Sequence, residues 1–218
     1  MRYVIERMTM ADVPRVIEIE KLAYPATWPA SAYRKELQEN RWAHYIVLRD
    51  KTLMRPFEVV NPEPERPRRP FPLSLFATRP GMAVASPSQS SIIGFAGLWL
   101  MVDEAHITTI AIHPDYRGMH LGEFLLTNLI DIAYRIEARW VTLEVRVSNY
   151  VAQNLYEKYG FRGDDIRPRY YSDNQEDARI MWTEELSSLS YKERFQELKK
   201  KLYQLLEAQE EPHARSGD

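Results

Sequence analysis

The fold is decided by one stretch of sequence, Ile110-Ala111-Ile112-His113-Pro114-Asp115-Tyr116-Arg117-Gly118-Met119-His120-Leu121-Gly122-Glu123-Phe124-Leu125-Leu126. It opens with an apolar run rich in β-branched residues, breaks at Pro114-Asp115, and turns through a basic loop that holds two glycines. The apolar residues that follow keep the period of a helix lying on a sheet: Leu121, Phe124, Leu125, Leu129, Ile132, Ala133 and Ile136. The pattern therefore predicts a strand, a tight loop and a helix.

Such a loop is suited to bind an anion. The N–H groups of a first helical turn have no partner within the helix, and the helix dipole places roughly half a positive charge there. Arg117 and His120 add side-chain donors on the same loop. A generic strand–loop–helix with a surface histidine is an equal alternative at this point, because a short glycine loop is a weak signal.

The hexamer Arg117-Gly118-Met119-His120-Leu121-Gly122 resembles the Arg/Gln-x-x-Gly-x-Gly/Ala signature of the GCN5-related N-acetyltransferases, the GNAT family. In that family the loop holds the pyrophosphate of acetyl-CoA. The hexamer departs from the signature at His120, where the family usually has glycine. Because histidine has a Cβ, the resemblance implies a less close approach of backbone to phosphate here, with a ring N–H as a substitute donor.

Composition narrows the class of protein. A chain of 218 residues with a hydrophobic share of 44% predicts one domain of moderate size with a real core. The sequence has no cysteine, which excludes disulfides, thiolate zinc sites and an acyl-cysteine intermediate, and we expect no metal site. The net charge of −2 argues against a globally basic nucleic-acid binder. We expect a cytoplasmic protein without a membrane anchor, because the sequence has no signal peptide and no apolar run of roughly 18 residues.

The N-terminal part predicts a strand at Tyr3–Met8 and a helix capped by Thr9 and Asp12. The loop Tyr24–Ser31 resembles the Phe-Pro-Trp-Ser loop of the RimI-like branch of the family, which helps to shape the acceptor side. The resemblance implies a substrate-binding role for Trp28. The alternative, slightly favoured when Trp28 is taken alone, is that this side chain simply covers the core.

A proline-rich insertion follows the second predicted strand, Ala43–Arg49. Residues 51–91 contain eight prolines and a cluster of arginines, which predicts a long extended loop. The cluster consists of Arg66, Arg68 and Arg69 and is compatible with a docking arm for an RNA-rich partner. We expect no direct nucleic-acid binding by any other part of the chain. We favour the other interpretation, a solvated insertion without a catalytic role.

Three strands are predicted around the central stretch. Ile92–Val102 and Glu104–Ile112 form an antiparallel hairpin with a turn near Asp103. Trp140–Val147 can lie parallel beside the second of them through a right-handed crossover. A helix then begins after Ser148-Asn149 and ends at Gly160, a residue typical of a helix C-terminus; Phe161 and Ala178–Trp182 are predicted as the last strands.

The second half of the chain closely resembles the RimI-like ribosomal-protein-alanine Nα-acetyltransferases. The motifs that carry the resemblance occur in order at Leu143–Asn149, Asn154–Phe161, Arg169-Tyr170-Tyr171 and Glu176–Met181. The resemblance covers most of residues 1–185 without the insertion. It implies an α/β GNAT fold, in which helices flank a central splayed mixed β-sheet and acetyl-CoA lies between two parallel strands.

The resemblance also implies roles for individual residues. It makes Glu144 the general base and Tyr156 the general acid, with Tyr156 also at the cofactor. The cofactor-binding residues would be Ile110, Ala111 and Ile112 for the pantetheine arm, Arg117, Gly118, Met119, His120, Leu121 and Gly122 for the pyrophosphate, and Asn149. The acceptor groove would include Trp28, Arg169, Tyr170 and Tyr171.

These roles agree with the chemistry of amines. An α-amine has a pKa of roughly 7.7–8.0, so much of it is already neutral near physiological pH. A carboxylate such as Glu144 need only take the proton that remains on the rest. A lysine amine, with a pKa of about 10.4, would need much more help. A phenol such as Tyr156 can protonate the leaving thiolate. On spacing alone, a surface carboxylate and a core tyrosine are the better interpretation; the order of the motifs reverses that preference.

The C-terminal segment, residues 186–218, is predicted to lie outside the 1–185 catalytic domain as an amphipathic helix and a disordered tail. Ser190–Glu193 reads as a capping box, and apolar residues recur with a 4-3-4-3 spacing: Tyr191, Phe195, Leu198, Leu202 and Leu205. Packing on the chain's own sheet is favoured over a dimer seam, because two heptads are few.

The sequence as a whole predicts an enzyme that transfers acetyl from acetyl-CoA to the N-terminal amine of a ribosomal protein beginning with alanine. Two alternatives stay open. One is a GNAT enzyme that acts on protein lysines or small amines. The other is a catalytically idle module that binds CoA or a partner protein; Glu144, Asn149 and Tyr156 argue against it, whereas His120 leaves it open.

Overall fold

The computed structural model describes residues 1–53, 91–163 and 165–209. Within them, seven strands form one mixed sheet in the order β1-β2-β3-β4-β5-β7-β6. The strands are β1 Tyr3–Arg7, β2 Ala43–Asp50, β3 Ile92–Met101, β4 Glu104–Ile112, β5 Trp140–Arg146, β6 Ile166–Arg167 and β7 Ala178–Trp182. The helices are α1 Val13–Ala23, α2 Ala30–Glu39, α3 Leu121–Arg135, α4 Tyr150–Lys158 and α5 Leu189–Ala208. The predicted α/β architecture is confirmed.

Strands β4 and β5 are the only parallel pair in the described sheet, and they diverge part of the way along. Glu104–Ile107 pair with Trp140–Leu143, and the register ends there. Beyond that point β4 continues to Ile112 beside β3 alone, while β5 continues beside β7. The predicted splay is therefore present, and it opens one end of the sheet between the two central strands.

Helices cover both faces of the sheet because successive residues of a strand point to opposite sides. On one face, α1 and α2 bury their apolar residues against alternate residues of β2 and β3, among them Val47 and Phe95. On the other face, α3 and α5 pack against the intervening residues, among them Leu48 and Ile93. No helix in the described parts of the chain is long and apolar enough to cross a membrane.

Helix α5 shares the main core, which fixes its place on the domain. The Phe195 ring lies 5.7 Å from the Tyr134 ring of α3, and the Tyr203 ring lies 5.4 Å from that of Phe124. The expectation that this helix packs on the chain's own fold agrees with these contacts. Residues 54–90, which hold most of the predicted insertion, and the predicted disordered tail from 210 onward lie outside the described residues.

Three local predictions were wrong in detail. Helix α5 begins two residues earlier than expected, and Ser188 rather than Ser190 accepts the capping hydrogen bond from the N–H of Tyr191 at 3.2 Å. Asp12 precedes α1 without capping it through its side chain; its carboxylate instead accepts the N–H and hydroxyl of Thr9, each at 2.8 Å. Phe161 is buried but lies outside the strands, so β6 pairs with β7 in its place.

Candidate active site

A cleft of about 630 Å³ lies where β4 and β5 separate. Its walls come from the end of α1 and the loop after it, from both strands, from α4 and from the loop at residues 170–173. Seven of the predicted site residues line it: Trp28, Ile110, Glu144, Asn149, Tyr156, Tyr170 and Tyr171. The splay therefore brings together residues that are up to 143 positions apart in the chain, from 28 to 171.

The other predicted residues lie elsewhere. Ala111 and Ile112 are buried in the core. Arg169 is exposed and does not line the cleft; its backbone N–H donates to Asp177 at 2.8 Å. The predicted phosphate loop, Arg117–Gly122, lies beyond the end of β4 at the start of α3.

The loop geometry explains why the family signature has glycine at the position of His120; Gly118 stands at a position that the signature leaves open. Gly118 has φ 77° and His120 has φ 58°, both in the left-handed region that favours glycine. His120 precedes α3 and its side chain does not cap the helix; its Nδ1 lies 3.2 Å from the Glu123 carboxylate. The N–H groups of the first turn are thus free of a side-chain cap, which fits a bound phosphate.

Glu144 projects from β5 into the cleft with both carboxylate oxygens paired. Its Oε2 lies 3.0 Å from Nε2 of His106 and its Oε1 accepts a hydrogen bond from Arg167 at 2.8 Å. Its side chain is 8% exposed. Burial raises the pKa of Glu144, but the hydrogen bond and charge of His106 and the charge of Arg167 outweigh it, and the pKa lies below its ordinary value.

Tyr156 faces the cleft from α4 and its ring lies 5.7 Å from that of Phe161. Its hydroxyl has no hydrogen-bond partner among the described residues, so it can donate to a ligand. Burial raises the pKa of Tyr156, and the neighbouring phenols of Tyr24 and Tyr171 raise it further. The hydroxyl therefore keeps its proton throughout the neutral range. Asn149 starts the same helix, where its Oδ1 accepts the N–H of Ala152 at 3.2 Å.

Tyr24, which the sequence did not single out, reaches into the cleft from the end of α1. Its hydroxyl donates to the carbonyl of Ile110 at 2.6 Å and lies 3.3 Å from Oγ1 of Thr109. The carbonyl of Ile110 is therefore accessible from the cleft rather than consumed by the sheet. A ligand that pairs with this part of β4 must share the carbonyl with Tyr24 or displace its hydroxyl.

Aromatic rings line the opposite end of the cleft. The ring of Trp28 lies 5.7 Å from that of Tyr33 and 6.0 Å from that of Trp99. The buried carboxylate of Glu20 fixes this arrangement, since its Oε1 accepts the N–H of Trp28 at 3.2 Å and the hydroxyl of Tyr33 at 3.0 Å. Trp28 is 37% exposed, so it both covers the aromatic cluster and borders the cleft.

The loop that carries Tyr170 and Tyr171 is held by an arginine. The guanidinium of Arg146 lies 3.9 Å from the centre of the Tyr171 ring and donates to Asp173 at 2.8 Å and to Glu176 at 3.1 Å. Stacking and paired charges of this kind fix both the ring and the loop. The two tyrosines thus form a preorganised wall over the entrance to Glu144.

Sequence reasoning missed three residues of the site: the cleft residues His106 and Tyr24, and Arg167, which donates to Glu144. A histidine that alternates with buried residues of β4, on the same face as Glu144 of β5, was the available signal for His106. The register that brings His106 opposite Thr142 comes only from the structure. Arg167 lies in the two-residue strand β6, which is too short to show a pattern. Tyr24 begins the predicted loop Tyr24–Ser31, but the contact of its hydroxyl with Ile110 depends on the tertiary fold.

Comparisons with known proteins agree with this geometry. The model of the Acetyltransferase (GNAT) family matches residues 13–161. A Bacillus subtilis (strain 168) protein, 34% identical over 82% of this chain and 93% of its own length, carries a provisional name as a ribosomal protein bS18-alanine N-acetyltransferase. The Escherichia coli (strain K12) enzyme of that name is 44% identical over 40% of this chain and 60% of its own length. The crystal structure of the Escherichia coli ribosomal-protein-S18-alanine N-acetyltransferase superposes with a TM-score of 0.59 at 27% identity, covering 83% of this chain and 92% of that one.

Proposed function

Because the chain belongs to the GNAT acetyltransferase family, an acetyl-CoA-dependent group of enzymes, we propose that it acetylates the N-terminal alanine of a ribosomal protein. One observation supports the proposal above the others. A buried, ionised carboxylate, Glu144, lies in the cleft between the splayed strands, opposite the free hydroxyl of Tyr156. A base and a proton donor on two sides of one cleft suit the transfer of an acyl group to an amine.

Acetyl-CoA supplies the thioester whose carbonyl carbon the amine attacks. The residues that fit it are the cleft-facing backbone of β4 at Ile110, the uncapped start of α3 with Arg117–Gly122, and Asn149 at the start of α4. Ile110 and Asn149 line the cleft, and Arg117–Gly122 follow the end of β4. Ala111 and Ile112 would take part only through their main chain, because their side chains are buried.

Glu144 would receive a proton from the acceptor amine. Its lowered pKa keeps it ionised at neutral pH, so it is always ready to accept. It is also a weak base, which favours an acceptor whose amine has a pKa of roughly 7.7–8.0 over a lysine amine at about 10.4. The extra two to three pKa units for lysine would add about 3–4 kcal/mol to the removal of the proton. The α-amine of a protein is the acceptor that fits best.

Tyr156 would face the departing sulfur. Its phenol keeps its proton, because burial raises its pKa, so it stabilises the thiolate as a hydrogen-bond donor before the proton moves. The preorganised hydroxyl costs no rearrangement at the moment of reaction. Tyr24, whose hydroxyl already lies against Ile110, completes this polar wall.

The acceptor would enter between the tyrosine wall of Tyr170 and Tyr171 and the aromatic end at Trp28. Both sides are held by buried or paired side chains, as described for Glu20 and Arg146, so the entrance has a fixed width. A small first residue such as alanine suits an entrance whose sides cannot move apart. Arg169 could then contact only the part of the acceptor that remains outside.

The test uses the purified protein, acetyl-CoA and three peptides of otherwise matched sequence. One begins with alanine, one begins with a bulky residue, and one has a blocked N-terminus and an internal lysine. We expect the alanine peptide to react fastest and the lysine peptide to react poorly. Equal rates on the lysine peptide would favour a lysine acetyltransferase, and absence of CoA binding by calorimetry would contradict the proposal. Intact masses of ribosomal proteins from cells with and without the chain would then identify the natural acceptor.

A further inference from the structure

A continuous row of hydrogen bonds leads from the base in the cleft along the parallel strand pair. Nε2 of His106 lies 3.0 Å from Glu144, and its Nδ1 lies 2.9 Å from the hydroxyl oxygen of Thr142. That hydroxyl donates to Oε1 of Glu104 at 2.5 Å. The four side chains share one face of β4 and β5, because His106 pairs with Thr142 and Glu104 and Glu144 lie two residues away on their respective strands.

The hydrogen-bond directions fix where the protons are. A threonine hydroxyl has one proton, and that of Thr142 points at Glu104, so its oxygen must accept from Nδ1 of His106. With Nδ1 protonated, a neutral imidazole would turn the lone pair of Nε2 toward the carboxylate of Glu144. The 3.0 Å contact therefore requires a proton between Nε2 and Glu144 as well. Every link of the row holds a proton that can shift toward Glu104.

The row is shielded from solvent at its Glu144 end and reaches solvent at its Glu104 end. Thr142 is buried and the side chain of His106 is 18% exposed, whereas that of Glu104 is 37% exposed near the β3–β4 turn. The Glu144 end also faces Arg167, Tyr170 and Tyr171. When donor and acceptor fill the cleft, the way out for a proton at Glu144 is through the strand pair.

The reaction requires such a way out. An acceptor that arrives as an ammonium ion loses two protons while its nitrogen forms the C–N bond and the C–S bond breaks. One proton ends on the sulfur, with Tyr156 donating to the sulfur and recovering a proton from the nitrogen. The other must reach water. Glu144, whose pKa lies below the ordinary value, is a poor place to store it.

We propose that His106, Thr142 and Glu104 form a relay that releases a proton to solvent as Glu144 takes the amine's first proton. As Glu144 takes the proton, His106 passes its Nδ1 proton to Thr142, and Thr142 passes its own to Glu104, which releases it to water; loss of the imidazolium charge lets Glu144 hold its proton. When the product leaves and the cleft opens, Glu144 gives its proton to water and Nδ1 of His106 regains one through Glu104 and Thr142. No bond to carbon is involved, and the charge that enters at Glu144 equals the charge that leaves at Glu104. This inference rests on the proposed acetyl transfer to an amine.

The experiment compares Thr142→Val and Glu104→Gln with the native chain on two peptides at about pH 6.5, where an α-amine of pKa roughly 7.7–8.0 is mostly protonated. One peptide begins with alanine. The other begins with trifluoroalanine, whose fluorines keep the amine neutral, so that it has only the one proton that ends on sulfur to lose. The relay predicts that both variants turn over the alanine peptide slower by about tenfold or more, and the fluorinated peptide at close to the native rate.

A structural role for these residues would slow both peptides equally, and that result would overturn the relay, as would native rates on both. The matched control is Thr127→Val, which removes a buried hydroxyl that donates only to a carbonyl of its own helix, Phe124 at 2.9 Å. It should leave both rates unchanged. If the native chain acetylates neither peptide, the proposed function fails; if it acetylates the alanine peptide and the variants match it, only the relay fails.

A second measurement needs no turnover. Nitrogen NMR of the His106 imidazole in the native chain should show both ring nitrogens protonated or sharing a proton. In Thr142→Val, the Nδ1 signal should change because its acceptor is gone, while far-UV circular dichroism stays native. A bare Nδ1 in the native chain would contradict the proton directions on which the relay depends.

Discussion

His106 and Glu144 face each other across the parallel pair of β4 and β5, with Nε2 3.0 Å from Oε2. Glu144 lies one residue beyond the last paired position, Ile107 with Leu143, where the strands begin to separate, and His106 lies one residue before it. The same divergence therefore opens the cleft and leaves the carboxylate at its inner edge. Since Arg167 holds the other oxygen at 2.8 Å, the base is fixed in place before any ligand arrives.

Glu144→Gln tests the base. The amide is nearly isosteric and keeps hydrogen bonds to its neighbours, but it cannot accept the amine's proton. We expect the fold and CoA affinity to be retained and turnover to fall by about 10²–10⁴-fold, the range for a positioned acid or base. Turnover at saturating peptide is the measurement, and a native rate at neutral pH would show that Glu144 is not the base.

The pH profile follows from the direction of the pKa shift. The pKa of Glu144 is lowered, so the carboxylate is ionised at every pH above its ordinary pKa. It becomes protonated only as the pH falls below that value. The acid limb of native activity near neutrality should therefore follow the acceptor amine, at roughly 7.7–8.0, and not the carboxylate. The defect of Glu144→Gln should shrink as the pH rises, because neutral amine becomes abundant.

Tyr156→Phe tests the proton donor. The change deletes one hydroxyl that has no partner among the described residues, so stability should change little while turnover falls. Because burial raises the pKa of Tyr156, the native phenol stays protonated in mild alkali, and the defect should not ease as the pH rises. Tyr150→Phe, an exposed position on the same helix, is the control and should turn over normally; equal rates for both variants and the native chain would remove Tyr156 from the chemistry.

His120→Gly tests the phosphate loop. At φ 58° a side chain costs about 1–2 kcal/mol that glycine avoids, but the variant also loses the contact with Glu123. We expect CoA affinity to change by about tenfold or less, on the order of one hydrogen bond. His120→Ala keeps the strained backbone and loses the same contact, so it should unfold at a lower temperature than His120→Gly. Calorimetry and thermal unfolding check both, and a higher melting temperature for the alanine variant would contradict the backbone argument.

The sequence predicted the elements of the site better than their pairing. The strand, loop and helix from Ile110 to Leu126 followed from periodicity, and Gly160 ends α4 with φ 81°, as a glycine after a helix does. Glu144 and Tyr156 were assigned through motifs that resemble a family. The partners of Glu144 were missed because they depend on the register of β4 against β5 and on the pairing of the short strand β6, which carries Arg167, with β7. Those are tertiary facts with no local signature.

Replacing Leu53–Pro87 with a short Gly-Ser linker tests the insertion. The N–H of Asp50 donates to the carbonyl of Ser91 at 2.9 Å, so the described chain on either side of the insertion is already in contact. Each doubling of loop length changes the closure cost by only about 0.6 kcal/mol, and a short linker can span this gap. We expect turnover of a free alanine peptide to stay close to native and unfolding to stay cooperative.

The same variant decides between the two interpretations of the arginine cluster when it is given intact ribosomal protein as well as the peptide. A loss confined to the intact protein would support a docking arm, whereas native rates on both acceptors would support a solvated insertion. The matched control is a full-length variant in which three arginines are changed together to glutamine: Arg66, Arg68 and Arg69. These substitutions remove the positive charge of the cluster and keep the length of the insertion. Since electrostatic docking weakens with salt, raising the ionic strength should reduce the native rate on the intact protein toward that of the shortened chain. Failure of the shortened chain to fold would show that the insertion is part of the domain's structure, against this expectation.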